Sequence, residues 1–104
     1  MKKHSIKTWN EEERPREKLM LHGAGALTDT ELLAILLGSG TRRQTAVDLA
    51  RDLLAPGGGR LDALSRMDAR QLTKTDGIGL AKATAVLATF ELARRLAADC
   101  LKTN

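Results

Sequence analysis

Two glycine-rich turns divide this sequence into similar halves, and each turn follows a leucine at the same interval. Leu33 stands five residues before Gly38-Ser39-Gly40, and Leu72 stands five residues before Gly77-Ile78-Gly79. Small residues follow each turn at helical spacing: Ala46 and Ala50 in the first half, Ala83 and Ala88 in the second. The helix of the second half is expected to begin two residues sooner. We therefore predict a duplicated helix–turn–helix unit with a small insertion.

The composition favours helices in both halves. Hydrophobic residues make up 42% of the 104 residues and aromatic residues only 2%, so most of the apolar side chains are leucine, alanine, isoleucine and valine. Leucine and alanine are strong helix formers, whereas strands favour β-branched and aromatic side chains. A chain of this length holds one modest core. We expect one all-α domain, a compact bundle of five to six short helices.

Capping signals indicate where the helices of the first half begin. Two pairs have the spacing of a capping box: Thr28 with Glu31, and Thr41 with Gln44. The first box precedes an almost wholly apolar helix, which we expect to be the buried centre of the fold. The second box opens a helix that runs to about Leu54. A short helix precedes both, with Pro15 at its first position and residues 16–21 following.

A proline and three glycines at positions 56–59 predict a short linker between the halves. Beyond it we expect a short helix from Leu61 to Ser65 and a helix, capped by Asp68, that reaches Lys74. The longest helix is predicted from about Leu80 to Ala98. Its predicted inner face consists of Ala83, Val86, Leu87, Phe90, Ala93 and Leu96.

The predicted domain limits follow from these boundaries. Residues 1–10 are expected to form a flexible tail, in which Ile6 and Trp9 are the anchoring side chains, and residues 99–104 a frayed C-terminus. Between them lies a tandem helix-hairpin-helix domain of the SAM-like type over residues 11–98. Its units are predicted at about 29–54 and 68–98.

The chemistry of the two turns is suited to phosphate. A Gly-x-Gly turn reverses the chain where a side chain would clash, and it leaves the first N–H groups of the next helix without internal partners. Those donors and the positive end of the helix dipole attract an anion. A cation in the first helical turn opposes the dipole, so cations placed there indicate that an anion is bound. The candidate nucleic-acid-binding residues are Gly38, Gly40, Arg42, Arg43, Lys74, Gly77, Ile78, Gly79 and Lys82.

The net charge is compatible with a polyanionic partner without requiring one. It is +4, from 17 lysines and arginines against 13 acidic residues, and a charge of this size also serves solubility alone. Phosphate contacts carry no base readout, so binding to duplex or branched DNA is expected to be sequence-independent and weakened by salt. The alternative is that these cations are solvated charges on ordinary capped helices.

Several strings of the chain, over about residues 6–95, resemble the start of RadC-family proteins. They are ERPREKL at 13–19, HGAGALTDTELLAILLGSGT at 22–41, TAVDLAR at 45–51, GIGLAKA at 77–83 and ELARR at 91–95. The resemblance implies a tandem helix-hairpin-helix domain that binds DNA and serves DNA repair. In that family it precedes a JAMM metalloprotease-like domain with a His-x-His and Asp zinc motif. We expect that domain to be missing here, so its zinc chemistry is carried over to no residue.

Two positions depart from the general hairpin pattern. Asp76 stands where proline commonly precedes the first glycine, and Ser39 replaces the apolar residue that plugs the first turn. The second turn is therefore the stronger candidate. The backbone carbonyls of Thr75 and Gly77 are a candidate site for Na⁺ or K⁺ bridging to phosphate, and no other cofactor or metal site is expected.

Other interpretations stay open. Paired hairpins also serve as docking or oligomerisation modules, and the leucine-rich segment 32–37 would then be partly exposed in a monomer. Some DNA glycosylases place a catalytic aspartate beyond a similar hairpin, and Asp99 lies 20 residues beyond Gly79. A glycosylase needs a second helical domain to form its base pocket, and 104 residues are too few to supply one. Because the chain also holds no catalytic set, we expect no enzyme. Neither a signal peptide nor a membrane span is indicated, and a cytoplasmic location is expected.

Overall fold

Residues 14–103 are described by the computed structural model, and within them the chain folds into six α-helices joined by turns. The helices are α1 over residues 14–22, α2 (Asp29–Leu37), α3 (Ala46–Leu54), α4 (Leu61–Ser65), α5 (Ala69–Leu72) and α6 (Leu80–Thr103). No strand occurs among these residues. The predicted all-α bundle is confirmed, whereas the predicted tail over residues 1–10 lies outside the described residues.

Helix α3 is the buried centre of the bundle, and the expectation that α2 would be is wrong. Leu49, Ala50 and Leu53 of α3 are almost wholly buried, whereas Leu32 of α2 is 38% exposed. The reason is geometric: α2 is apolar on nearly all sides, but α3 and α6 cover only part of its surface. The chain therefore exposes a second apolar face along α2.

Two of the predicted helix starts are confirmed. Thr28 Oγ1 accepts from the Glu31 N–H at 3.1 Å, and Glu31 Oε1 accepts from the Thr28 N–H at 2.9 Å, which completes the capping box of α2. Asp68 caps α5 in the same way, together with Gln71. The Glu31 carboxylate also binds Lys18 of α1 at 3.2 Å, so this cap attaches α1 to the bundle.

The predicted start of α3 is wrong. The helix is capped by Thr45, whose Oγ1 accepts from the Asp48 N–H at 3.1 Å. The Asp48 carboxylate in turn accepts from the Thr45 N–H at 3.2 Å. Thr41 Oγ1 instead accepts from the N–H groups of Arg43 and Gln44 within a tight loop. Two capping signals lie four residues apart here, and the later one opens the helix because the earlier threonine closes the loop.

The two glycine turns share a backbone conformation at their first glycine. Gly38 has φ 86° and Gly77 has φ 91°, a region that side chains rarely adopt. The halves then diverge, because α6 begins directly after Gly79 whereas five residues separate Gly40 from α3. The insertion is thus longer than the two residues predicted. Ala46, Ala50 and Ala83 are buried as expected, and Ala88 is exposed.

Helix α6 continues to Thr103, five residues past the predicted end at Ala98. No glycine or proline interrupts it, and alanine, leucine and lysine near its end all favour helix. Its predicted inner face packs on the core only as far as Phe90. Ala93 and Leu96 are exposed, against the prediction, because only α4 lies beside this part of the helix and it does not cover them.

Smaller boundaries also differ from the prediction. Helix α5 ends at Leu72, two residues before Lys74, and the chain continues in turns whose N–H groups bond three residues back. The glycine linker is an ordered 3-10 turn, Ala55–Gly57, in which a side chain at Gly57 would meet Ala63 at 2.5 Å. Helix α4 lies at its predicted position.

Acid should destabilise this fold through its capping carboxylates. The Thr28 N–H and then Lys18 lower the pKa of Glu31, and the Thr45 N–H lowers the pKa of Asp48. Ionised caps therefore stabilise the folded chain fully above the ordinary carboxyl pKa of about 4, and that stability is lost as pH falls through the lower folded values. The thermal unfolding midpoint, followed by circular dichroism, should be flat from about pH 5 to 8 and fall below about pH 4. The fall should be shallower in Glu31→Gln; an unchanged fall would contradict the assignment.

Candidate nucleic-acid interface

The loop after α2 and the turn before α6 meet at one open pocket. Its volume is about 490 Å³. Residues of both halves line it: Thr41, Arg42, Arg43, Gln44, Asp76 and Gly77. Two segments 35 residues apart in sequence, predicted as separate sites, therefore form one surface.

Close packing holds the two segments together. A Cβ at Gly77 would lie 2.6 Å from Leu49 Cδ2 and 3.3 Å from Thr41 Cγ2, so the second turn rests on α3 and on the loop of the first half. Gln44 donates from Nε2 to the Asp52 carboxylate at 2.7 Å, which fastens the loop to the side of α3. The base of the pocket is therefore built of fixed groups.

Arg42 and Arg43 are not in the first turn of α3, so the helix-dipole argument made for them is wrong. They lie in the loop before Thr45, and both are exposed. The structure nevertheless places them at the shared pocket, opposite the Asp76 turn. Two guanidinium groups and one carboxylate leave this pocket with a formal charge of about +1.

The distribution of ion pairs distinguishes this surface from the rest of the described chain. Six cations pair with carboxylates: Lys18, Arg51, Arg60, Arg66, Arg94 and Arg95. Within residues 14–103, the cations that form no ion pair, Arg16 aside, are Arg14, Arg42, Arg43, Arg70, Lys74, Lys82 and Lys102. Five of these seven belong to the loop 41–44, to α5 or to the second turn and the start of α6. Ion-pair-free charge is concentrated around the two turns.

Arg70 was missed by the sequence prediction. It is exposed on α5, four residues before Lys74. In the predicted helix that reaches Lys74 the two residues would share a face, so the spacing carried a signal, although the observed α5 ends at Leu72.

The second turn has the predicted arrangement around its helix start. Ile78 is buried and plugs the turn, whereas Ser39 at the equivalent position is exposed. The first bond of the α6 ladder joins the Ala83 N–H to the Gly79 carbonyl, so the N–H groups before Ala83 have no partner within the helix. Lys82 is the third residue of α6 and lies in that first turn.

The other predicted residues do not line the pocket. Gly38 caps α2 and its carbonyl accepts from the Arg16 guanidinium, while Gly40 packs against the backbone of Gln44 and Thr45. Lys74 lies in the turn beyond α5. The carbonyl of Thr75, a predicted cation ligand, accepts from the Ile78 N–H at 3.0 Å, and the monovalent cation stays a prediction.

Within residues 14–103 no three His, Cys, Asp or Glu side chains come together as metal ligands, and no helix combines the length and apolarity required to cross a membrane. Because α6 is one continuous helix, Asp99 lies about 30 Å along its axis from Gly79. Asp99 is therefore too far away to act on a group held at that turn.

Fold and site together define a small all-helical module in which the loop after the first glycine turn meets the second glycine turn at a basic pocket. A family model described as UPF0758 N-terminal matches residues 6–84, and the chain belongs to the UPF0758 family. The RadC assignment and the tandem helix-hairpin-helix architecture stay predictions.

Longer bacterial proteins resemble the chain closely. A UPF0758 protein of Dechloromonas aromatica is 50% identical over 100 residues, which cover 96% of this chain and 44% of the relative. One of Flavobacterium johnsoniae is 50% identical over 95 residues, covering 91% of this chain and 41% of the relative. The chain thus spans less than half the length of these relatives. No solved structure matches it.

Proposed function

We propose that this chain is a sequence-independent DNA-binding module of the helix-hairpin-helix type, which contacts phosphates through its two glycine turns. The observation that carries the proposal is the concentration of ion-pair-free cations around those turns. Elsewhere in residues 14–103 most cations are held by carboxylates. A cation without a protein partner keeps its full charge for a polyanion, and binding then releases counterions from the DNA.

The pocket suits one phosphodiester. Arg42 and Arg43 supply planar guanidinium groups, each of which can donate two parallel hydrogen bonds to two oxygens of one phosphate. Asp76 offsets one of the two positive charges, so the formal charge of about +1 matches the single negative charge of one backbone phosphate. A second phosphate would lie at the start of α6, where Lys82 and the first N–H groups provide donors.

These contacts are directed to the backbone and not to base edges, so the module would bind many sequences with similar affinity. It would act on DNA in the cytoplasm, as the targeting part of a larger protein or alone. The RadC resemblance adds a role in DNA repair or recombination. We assign no catalytic role to these residues.

Reversing the charge of Lys82 should weaken DNA binding, whereas the same change at Lys102 should not. Both lysines lie on α6, both are free of ion pairs, and they are about 30 Å apart along the helix, which is about three Debye lengths at 0.1 M salt. Loss of one charge-assisted phosphate contact should lower the affinity of Lys82→Glu roughly tenfold. The slope of log affinity against log salt should fall by about 1.

The measurement is fluorescence anisotropy with labelled single-stranded, duplex and branched DNA, from low to moderate salt. An equal loss in Lys82→Glu and Lys102→Glu would show that only net charge matters, and the turn assignment would then be wrong. Absence of binding to all three DNAs at low salt would overturn the proposed function.

A further inference from the structure

The basic pocket contains acceptor groups that a phosphate contact does not use. Arg42 and Arg43 provide the donors that a phosphodiester needs, but Gln44 and Asp76 line the same pocket, and their side chains carry acceptor oxygens. A backbone phosphodiester has no hydrogen to donate to them. A ligand that uses the whole pocket therefore carries an anionic group and N–H donors as well.

The Asp76 carboxylate is exposed at the pocket and pairs with neither arginine. Within residues 14–103 it accepts no hydrogen bond, so it does not cap α6. Most carboxylates of that range are held by protein donors: Glu31, Asp48, Asp52, Asp62, Asp68 and Glu91. Asp76 is thus available to donors of a ligand.

The side-chain amide of Gln44 is held in one orientation. Gln44 is half-buried, and its Nε2 donates to the Asp52 carboxylate at 2.7 Å. Its Oε1 lies 3.7 Å from a Cβ built at Gly77, and among the described residues no donor reaches that oxygen. The pocket thus presents a carboxylate and a fixed amide oxygen beside two guanidinium groups.

Guanine is the DNA base whose donors match these acceptors. Its Watson–Crick edge carries two neighbouring donors, N1–H and N2–H, which a carboxylate can accept in parallel, and the second N2–H is left for an amide oxygen. Adenine and cytosine place an acceptor nitrogen beside the amino group, and thymine flanks its N–H with two carbonyl oxygens. Each of these three would therefore turn an acceptor toward the carboxylate.

The pocket also has room for more than a phosphate. Its volume of about 490 Å³ lies within the roughly 300–1,000 Å³ of pockets that hold small organic ligands, whereas a phosphate group has only a few atoms. Guanidinium planes stack on unpaired bases as well as binding phosphate. The phosphate and the Watson–Crick edge lie at opposite ends of a nucleotide, so the carboxylate need not face the phosphate.

We propose that this pocket binds an unpaired guanine nucleotide of a DNA strand, an inference that rests on the proposed function and specifies the ligand of its site. The arginines bind the phosphate, and Asp76 and Gln44 accept from the base. In closed duplex DNA the N1–H and N2–H groups of guanine are occupied by cytosine. The preference therefore applies only to unpaired strands, and duplex binding stays independent of sequence.

Fluorescence anisotropy at 0.1 M salt should detect the preference, with a labelled duplex that ends in a single-stranded thymine overhang. One thymine of the overhang is replaced by guanine, hypoxanthine or adenine. The guanine overhang should bind about tenfold more tightly than the adenine overhang, which is the usual discrimination by a bidentate base contact. Hypoxanthine lacks the N2 amino group and should lie between them.

Asp76→Asn should remove the preference for guanine over adenine while binding closed duplex more tightly than the wild type. Asp29→Asn is the matched control, because Asp29 also forms no ion pair within residues 14–103 and lies outside the pocket. It makes the same change of net charge and should keep the wild-type preference. Circular dichroism should show that both variants retain the helical fold.

Equal, salt-dependent binding of the guanine and adenine overhangs would overturn this inference and leave the proposed function standing. An unchanged preference in Asp76→Asn would also overturn it. A free guanine mononucleotide carries the same groups, so displacement of the guanine overhang by equimolar dGMP would assign the pocket to free nucleotides instead. Absence of binding to every DNA at low salt would overturn both proposals.

Discussion

Replacing Arg42 and Arg43 together with glutamate should lower the affinity for duplex DNA by at least about a hundredfold at 0.1 M salt. Two charge-assisted phosphate contacts are lost, each worth about 1.5–3 kcal/mol, and 1.4 kcal/mol corresponds to a factor of ten. The formal charge of the pocket changes from about +1 to about −3, so the site would repel the phosphate that it is proposed to bind. Anisotropy titrations should also show a salt slope that is smaller by about 1.

A double variant with the same change of net charge is the control. Arg60 and Arg66 are exposed, both pair with Asp62 and neither lines the pocket, so Arg60→Glu/Arg66→Glu makes the same change of net charge at another surface. Its affinity should fall much less. Conversely, Asp76→Asn should bind DNA more tightly than the wild type, because it removes the carboxylate from the pocket. Equal losses in the two double variants would contradict the pocket as the binding site.

Gly40→Ala should destabilise the fold by at least about 3 kcal/mol, at the upper end of the cost of overpacking. A Cβ at Gly40 would lie 2.0 Å from the Gln44 carbonyl oxygen and 2.7 Å from the Thr45 carbonyl carbon. These are backbone atoms, which cannot turn aside as a flexible side chain does. The unfolding midpoint of a domain of about 100 residues should fall by roughly 12 °C or more.

Gly79 provides the comparison, because it is the equivalent glycine of the second turn. No atom lies within 4 Å of a Cβ built there, and its φ is outside the left-handed region. Gly79→Ala should therefore change the free energy of unfolding by less than about 1 kcal/mol. Thermal unfolding by circular dichroism checks both variants. If Gly40→Ala were as stable as Gly79→Ala, the close packing of the loop on Thr45 would be wrong.

The glycine turns and two of the helix caps were readable from the sequence because they depend on local chemistry. The capping boxes of α2 and α5 each need only residues within one helical turn, and both were predicted correctly. The positive φ of Gly38 and Gly77 follows from the same local logic. Similar spacing did not ensure similar packing, however, since Gly40 is closely packed and Gly79 is not.

The site was predicted residue by residue but not as an assembly. Arg42, Arg43 and Gly77 were all named from sequence, yet the reason given for the arginines depended on a helix start that the structure places later. Their meeting depends on Gly77 packing against Leu49 and Thr41. Such contacts join distant segments, and no periodicity along the chain reports them.

The sequence by itself determined the helical class, most helix starts and the two glycine turns, because propensity, capping and positive φ act within a few residues. Only the tertiary structure decided which apolar helix is buried, where α6 leaves the bundle, and that the loop after the first turn shares one pocket with the second turn. An apolar residue is buried when another element covers it, and that depends on the packing of the whole chain. For this reason Leu49 of α3 lies in the core, while Leu32 and Leu96 remain at the surface.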